Sequence, residues 1–309
     1  MLSAMNSDSL DTQATGRLGV KDAELRIDPN TYSASYNKIP FGFYHNLHQL
    51  DIFQLDSLRD LVARYGESED DYFVAASAAA PGSPFFEAAS FKLKPKEALE
   101  QLDQRPMRIL LKKLEQYDDR FRELRDVLIN QLRILPGGLG SRPILRIQSS
   151  IFISSAAATT PLHFDPEVAF FTQIEGGKTY HVFSPDDVSE KELEAFYSRG
   201  QVSIGQLDIK DRDPKKEQVY NLEPGLGFHQ PQNSPHWVET CGTRSISYSC
   251  VFETDADRAL SRVRAFNHYE RKLGATPAPA GVNPNLDALK EKVMIPNRIA
   301  RGVLRRISR

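Results

Sequence analysis

His163, Asp165 and His236 are the residues whose types and spacing are best suited to bind a metal ion. His163 and Asp165 are two residues apart, and side chains at i and i+2 of an extended segment point to the same face. His236 offers a third donor in the tripeptide Pro-His-Trp. Two imidazoles and one carboxylate leave the opposite face of an ion open, which is the ligand set of non-haem Fe(II) oxygenases. An H-x-D tripeptide is common by chance, so the surrounding residues must support this interpretation.

Lys178 is a fourth residue that could take part in the chemistry. It follows the H-x-D tripeptide on a predicted strand of a barrel-like fold. A lysine that points into a barrel is costly unless it meets an anion, and a dicarboxylate cosubstrate would supply one. We expect the remaining histidines near these motifs to pack within the fold and not to bind metal. His181 is expected on the opposite strand face, His229 is a less favoured rival of His236, and His45 with His48 either packs or lines a substrate mouth.

The spacing of apolar residues in the elements that must position these side chains changes near residue 140. Before it, 3.6-residue periodicity predicts helices, and after it, period-2 alternation with turn signals predicts many short strands, which indicates a sandwich or barrel. The predicted helices are Leu55–Tyr65, Lys96–Asp103, Met107–Tyr117, Asp119–Leu135, one after Ser189, and Asp255–Leu273. The predicted strands are Asp71–Ala76, Ile144–Ser154, Val168–Ile174, Lys178–Phe183, Val219–Leu222, Gly225–His229, Trp237–Thr240 and Ser245–Phe252.

Four regions follow from this pattern. Residues 1–25 are polar and predicted to be disordered, and residues 26–140 form a mixed, helical region that packs on the core. Residues 141–255 form the all-β catalytic core. Residues 256–309 form a helical extension whose basic tail, from residue 286 onward, carries seven Lys or Arg against two acids. Such a tail more often packs on protein than on a membrane or nucleic acid.

Composition limits the binding partners and the cell compartment that we expect for this protein. The formal net charge of the 309 residues is −2, so no global field recruits nucleic acid or a membrane surface. The two cysteines, Cys241 and Cys250, make a disulfide framework improbable and favour a cytoplasmic setting. We expect no transmembrane helix and no secretory signal, and the sequence has no P-loop and no Cys-x-x-Cys pair.

Several motifs in register resemble the JmjC (cupin-like) family of Fe(II)- and 2-oxoglutarate-dependent oxygenases. They are Thr160 to Asp165 (TPLHFD), Phe170 to Lys178 (FFTQIEGGK), Phe183 to Asp186 (FSPD), Pro224-Gly225, Pro235 to Trp237 (PHW) and the strand Ser245 to Ser249 (SISYS). The resemblance covers roughly residues 140–255, and its pattern is most similar to that of the hypoxia-pathway asparaginyl hydroxylase subgroup. It implies a mainly β fold with helical flanks, built on a double-stranded β-helix (jelly-roll) core.

The resemblance also implies a role for each motif residue. His163, Asp165 and His236 would hold Fe(II), while Lys178 would pair with the distal carboxylate of 2-oxoglutarate and Thr160 would hydrogen-bond it. Ser249, or less favourably Ser247, falls where the family places a polar residue near the cosubstrate's metal-binding end. The chain has serine there instead of the amide of the subgroup. It also lacks the acidic residue that often follows Pro224-Gly225, but no ligand is lost.

The implied reaction is O2-dependent hydroxylation of a C–H bond, with 2-oxoglutarate converted to succinate and CO2. Related halogenases lack the carboxylate ligand, so Asp165 favours hydroxylation, or demethylation by hydroxylation. A free amino acid or other metabolite and a peptide or protein side chain fit equally well as substrates. By analogy with the subgroup, the helical extensions are candidates for a homodimer interface. The alternatives are a non-catalytic cupin-like binding protein and a Zn- or Mn-loaded cupin, because ligands alone do not fix the metal.

Overall fold

The computed structural model describes residues 18–66, 69–77, 80–83, 92–200 and 204–294. Within these ranges the strands belong to one strongly curled, antiparallel sheet. The strands are β1 (Leu25–Arg26), β2 (Phe41–His45), β3 (Tyr72–Ala76), β4 (Met107–Lys112), β5 (Ile144–Ser154), β6 (Thr159–Phe164), β7 (Val168–Val182), β8 (Gly205–Gln206), β9 (Gln218–Leu222), β10 (Leu226–Gln230) and β11 (His236–Thr254). The helices are α1 (Pro29–Ser35), α2 (Leu55–Ala63), α3 (Pro95–Glu100), α4 (Leu114–Tyr117), α5 (Asp119–Ile134), α6 (Glu190–Ser198), α7 (Asp255–Lys272) and α8 (residues 284–294).

The long antiparallel pair β7–β11 is the centre of the sheet. The strand order is β1-β2-β10-β7-β11-β5-β4-β3, with β9 added to the far end of β7, and β6 added to the far end of β11 and paired with β8. Because β7 and β11 each continue from one half of the sheet into the other, the sheet folds over and encloses an interior. This is the mainly β, jelly-roll core with helical flanks that was predicted.

β7 and β11 are each longer than the sequence pattern indicates, since each was predicted as two strands. The break predicted in β7 is a bend at Gly176, whose φ is +64°. A Cβ there would lie 2.1 Å from the carbonyl oxygen of Arg244, so only glycine permits this close approach. The pairing register shifts at the same level, between Cys241 and Ile246 of β11. The glycines therefore bend one strand and do not separate two.

The predicted helix Met107–Tyr117 is wrong in its first half. Residues Met107–Lys112 form β4, which pairs with β3 on one side and β5 on the other, and only Leu114–Tyr117 is helical. Met107, Ile109 and Leu111 are buried on one face of β4, as period-2 alternation requires. The segment carries apolar residues at both periods, and pairing with two neighbouring strands decides between them.

The main hydrophobic core lies between one face of the sheet and the N-terminal helices. β5 and β11 contribute apolar side chains such as Ile151 and Tyr248, and α5 contributes its apolar stripe, including Phe121 and Leu124. α5 begins where the Asp118 carboxylate accepts a hydrogen bond from the backbone N–H of Arg120. The stripe of α5 is thus used within its own chain, and a homodimer through the helical extensions stays a prediction.

The start of the described chain differs from the prediction for that region. Residues 18–25 belong to the segment predicted to be disordered, but they are structured: Leu18 bridges to Leu50, and Val20 and Ala23 are buried. Residues 1–17, and residues 295–309 of the basic tail, lie outside the described residues. In the described part of the chain, the helices are too short or too polar to cross a bilayer.

Candidate metal centre

His163 and His236 are brought together by strand pairing. β6 runs antiparallel to the start of β11, and His163 is the direct cross-strand partner of His236. Their ring centroids lie 4.1 Å apart, as expected for side chains that share one face of an antiparallel pair. A separation of 73 residues in sequence is therefore closed by a single pair of neighbouring strands.

Asp165 completes the group immediately after the end of β6. One of its carboxylate oxygens lies 4.0 Å from His163 Nε2 and the other lies 3.7 Å from His236 Nε2. Candidate ligand atoms of the three residues all lie within 4.8 Å of one another. Neighbouring ligands that are each about 2.1 Å from one ion are roughly 3 Å apart, so small side-chain movements would bring all three donors onto one ion. The donor set fits Fe(II), with the opposite face left for other ligands.

Both histidines are held in the tautomer that metal binding requires. Nδ1 of His163 lies 2.7 Å from the carbonyl oxygen of Pro161, and Nδ1 of His236 lies 3.1 Å from that of Ser234. A carbonyl oxygen only accepts, so each Nδ1 carries the proton and each Nε2 presents its lone pair to the site. Such backbone contacts orient metal-binding histidines.

Burial keeps the imidazoles ready for an ion at neutral pH. His163 and His236 are 6% and 2% exposed. Loss of hydration lowers the pKa of His163, and it lowers the pKa of His236 to about 3, with the neighbouring His163 adding to the effect. Neutral imidazole is the form that binds metal, so no proton has to be displaced from Nε2.

Gln230 and Asn233 position Asp165, and the sequence analysis assigned neither of them to the site. Gln230, at the end of β10, donates from Nε2 to Asp165 Oδ2 at 3.3 Å, and the backbone N–H of Asn233 donates to the carbonyl oxygen of Asp165 at 2.8 Å. Asn233 has a φ of +64° and is itself bound by the hydroxyl of Tyr197. The turn between β10 and β11 therefore positions both Asp165 and His236.

Lys178 lies inside the barrel, as predicted. It is 5% exposed on β7, and its ammonium lies 5.5 Å and 5.3 Å from the ring centres of Phe152 and Phe171. Burial lowers its pKa to about 7, and no carboxylate of the described residues opposes this effect. A buried ammonium among aromatic rings is costly without an anion, so the position is suited to the carboxylate of a ligand.

Thr160 lies on β6 in the same interior, where it is bound by Arg108 of β4. The Nη1 atom of Arg108 donates to Thr160 Oγ1 at 3.0 Å, and the Arg108 charge lowers the pKa of both Lys178 and His163. Arg108 was missed because its segment was predicted to be helical. The alternation of Met107, Ile109 and Leu111 is the signal for a strand with Arg108 facing inward, but the segment also has apolar residues at helical spacing.

Ser249 also faces the interior. It pairs with Phe171 of β7, so the two side chains lie on the same face of the sheet, whereas the neighbouring Tyr248 faces the main core. The hydroxyl of Ser247 donates to Gln173 Oε1 at 2.8 Å. Ser247 thus belongs to a polar network around Gln173, and the choice of Ser249 as a cosubstrate contact stays a prediction.

Three other histidines of the motif regions occupy packing sites outside the centre. His229 lies under the N-terminal segment, where Nε2 accepts from the backbone N–H of Asn37 and Nδ1 lies 3.2 Å from the carbonyl oxygen of Ala169.

His181 stacks on Trp237 with ring centroids 3.6 Å apart. His45 Nε2 lies 3.1 Å from the carbonyl oxygen of Leu226, and burial lowers the pKa of this imidazole to about 3. The geometry thus favours His236 over its rival His229.

Comparison with known proteins gives a structural likeness only. No family model matches the chain, and no curated protein matches it. The structure of ycfD from E. coli is 19% identical over 90% of this chain and 69% of that chain, with a TM-score of 0.51. Two further Escherichia coli structures, of the ribosomal oxygenase YcfD and of YcfD in complex with cobalt and 2-oxoglutarate, are 18% identical over 90% of this chain and 68% of theirs, with TM-scores of 0.48 and 0.49. The chain therefore shares the fold of E. coli ycfD.

Proposed function

We propose that this protein is an Fe(II)- and 2-oxoglutarate-dependent oxygenase that hydroxylates a C–H bond. The observation that carries the proposal is that His163, Asp165 and His236 can together hold an ion, while β7 of the same curled sheet buries Lys178. A metal triad alone is compatible with several metals. A buried lysine without a carboxylate partner in the described residues adds a requirement for an anionic ligand, and 2-oxoglutarate meets both demands with its 2-oxo acid and its distal carboxylate.

The protein groups divide into three tasks. His163, Asp165 and His236 would hold the ion, Lys178 and Thr160 would bind the distal carboxylate, and Phe152 with Phe171 excludes water around the Lys178 ammonium. When bound, the iron supplies O2 activation coupled to decarboxylation of the cosubstrate. Presence of the Asp165 ligand favours hydroxylation, or demethylation by hydroxylation. The substrate class proposed is a small molecule or a peptide side chain.

Anaerobic titration of the Fe(II)-loaded protein with 2-oxoglutarate tests this function. The bidentate complex gives a weak visible charge-transfer band, which we expect in the wild-type protein and not in His163→Ala or His236→Ala. Lys178→Ala should keep the iron but require much more 2-oxoglutarate. Iron binding without the band would refute the cosubstrate assignment, and absence of metal binding would support the non-catalytic binding protein. Retention of full turnover in either histidine variant would exclude the triad.

We also propose a cytoplasmic location, because the cysteines are free thiols. Cys241 is exposed and Cys250 is buried, and both are free thiols. An exposed thiol persists best in a reducing compartment. Fractionation of cells that produce the full chain, followed by thiol labelling, would test this, and recovery of an oxidised Cys241 from a non-cytoplasmic fraction would contradict it.

A further inference from the structure

We propose that Arg108 is a second cationic binding residue for the distal carboxylate of the ligand, acting beside Lys178 and through Thr160. This inference rests on the proposed function, since it concerns the same ligand. Arg108 lies on β4, which is in the N-terminal region and outside the motifs that predicted the site. The proposal assigns part of the ligand site to that region.

The strand geometry directs Arg108 away from the main core. Met107, Ile109 and Leu111 are fully buried on one face of β4, and Arg108 therefore projects from the other face. In the ladder, Arg108 is the partner of Ser154 on β5, and Ser154 is in turn the partner of Ser245 on β11. Leu110, two residues on, is the partner of Phe152, whose ring contacts the Lys178 ammonium. Arg108 thus lies on the same face as Lys178.

The hydrogen bond between Arg108 and Thr160 sets the direction of the threonine hydroxyl. A guanidinium only donates, so Thr160 Oγ1 must be the acceptor of the 3.0 Å contact. The hydroxyl hydrogen of Thr160 then has to point towards another acceptor. A carboxylate bound in this interior can accept from the Thr160 hydroxyl and pair with the Lys178 ammonium at the same time.

Electrostatics adds an independent argument. Burial lowers the pKa of the Lys178 ammonium, and the nearby Arg108 charge lowers it further because like charges repel each other. Burial lowers the pKa of Arg108 itself only to about 10, so the guanidinium is charged at neutral pH. An anion near both groups would relieve this repulsion, and a ligand without the terminal carboxylate would leave it in place.

The test compares two ligands on metal-loaded protein without oxygen. 2-Oxoglutarate carries the distal carboxylate, and 2-oxopentanoate has the same five-carbon chain without it. Calorimetric titration of Mn(II)-loaded wild-type protein, Arg108→Met and Arg108→Lys gives both affinities, and a titration with Mn(II) alone verifies that the metal centre is intact. Lys112→Met is the matched control, since Lys112 lies on the same face of β4 but has Lys113 and Asp71 as its electrostatic neighbours.

Arg108→Met should weaken 2-oxoglutarate binding by about tenfold or more, because charge-assisted hydrogen bonds are lost, and should leave 2-oxopentanoate binding within about twofold of wild type. Arg108→Lys should recover part of the loss, and Lys112→Met should bind both ligands as the wild type does. In a cycle with Thr160→Val, the two losses should be less than additive, because Arg108 acts partly through the threonine.

Equal losses for both ligands in Arg108→Met, or no loss, would overturn the role of Arg108 while leaving the proposed function in place. Failure of the wild-type protein to bind 2-oxoglutarate at all would overturn both. If Arg108→Met does not fold, Arg108→Lys decides, because a ligand contact predicts that this variant loses part of its 2-oxoglutarate affinity and keeps its 2-oxopentanoate affinity, whereas unchanged binding of both ligands would overturn the role of Arg108.

Discussion

Replacement of Lys178 by methionine is expected to stabilise the folded protein while it abolishes tight binding of 2-oxoglutarate. Lys178 is buried among aromatic rings, and no carboxylate of the described residues pairs with it. Methionine has a similar length and no charge, so the substitution removes the cost of burying an ammonium and leaves most of the packing. Both effects are expected from one cause, which is that a buried ammonium needs the anionic ligand that we propose for this position.

The expected increase in the free energy of unfolding follows from the pKa of Lys178, which burial lowers from 10.5 to about 7. Each tenfold change in acid constant corresponds to about 1.4 kcal/mol, so the charged lysine costs about 4 kcal/mol of folding free energy near pH 7. Between pH 7 and 10.5 the unfolded chain binds this proton more tightly than the folded chain does. The stability of the wild type therefore rises with pH across this window, and the advantage of Lys178→Met shrinks.

Urea unfolding of the metal-free protein at pH 7 and at pH 9.5 measures both quantities. Lys290→Met is the control, since Lys290 is equally buried but its ammonium lies 2.7 Å from both Asn267 Oδ1 and Glu270 Oε2. That variant should lose stability, because it leaves two polar partners without a donor. A Lys178→Met protein that is less stable than wild type, or a difference that does not change with pH, would refute the reasoning.

Three further outcomes are expected. Gln230→Leu should weaken Mn(II) binding by about tenfold, measured by competition with a chelating dye, because Asp165 loses the amide that orients it; an unchanged affinity would make Gln230 a packing residue. Gly176→Ala should lower the unfolding temperature more than Gly242→Ala, because both residues have positive φ but only the first would place a Cβ 2.1 Å from a carbonyl oxygen; equal shifts would contradict the close approach. A divalent ion at a hundred times its dissociation constant should stabilise the wild type by about 2.7 kcal/mol and His236→Ala by far less, as read from thermal unfolding; equal stabilisation would place the ion elsewhere.

The metal centre was predictable because its chemistry depends on residue types at short range. His163 and Asp165 share a face in any extended segment, and the turn residues before His236 mark the start of a strand. Lys178 was predictable because a charged residue in an apolar, alternating segment needs a specific partner. These inferences require only local geometry and the cost of burying polar groups.

Arg108 and Gln230 were not predictable in the same way. The segment that contains Arg108 has apolar residues at helical and at strand spacing, and only its pairing with β3 and β5 selects the strand. Gln230 is an ordinary amide until the chain brings β10 beside the residue after β6. Both depend on contacts between segments far apart in sequence, and local patterns contain little information about such contacts.

The direct pairing of His163 with His236 also has a consequence for the order of folding. The two strands are separated by β7 to β10 in the chain, so we expect them to meet only after much of the barrel has formed. Contacts of such long sequence separation form slowly. A nascent or partly folded chain would hold an ion through the H-x-D pair alone, with weak affinity, and the complete site arises when β11 docks. Tight metal binding therefore reports that the barrel has closed. A bound metal ion should slow unfolding of the protein far more than it speeds folding.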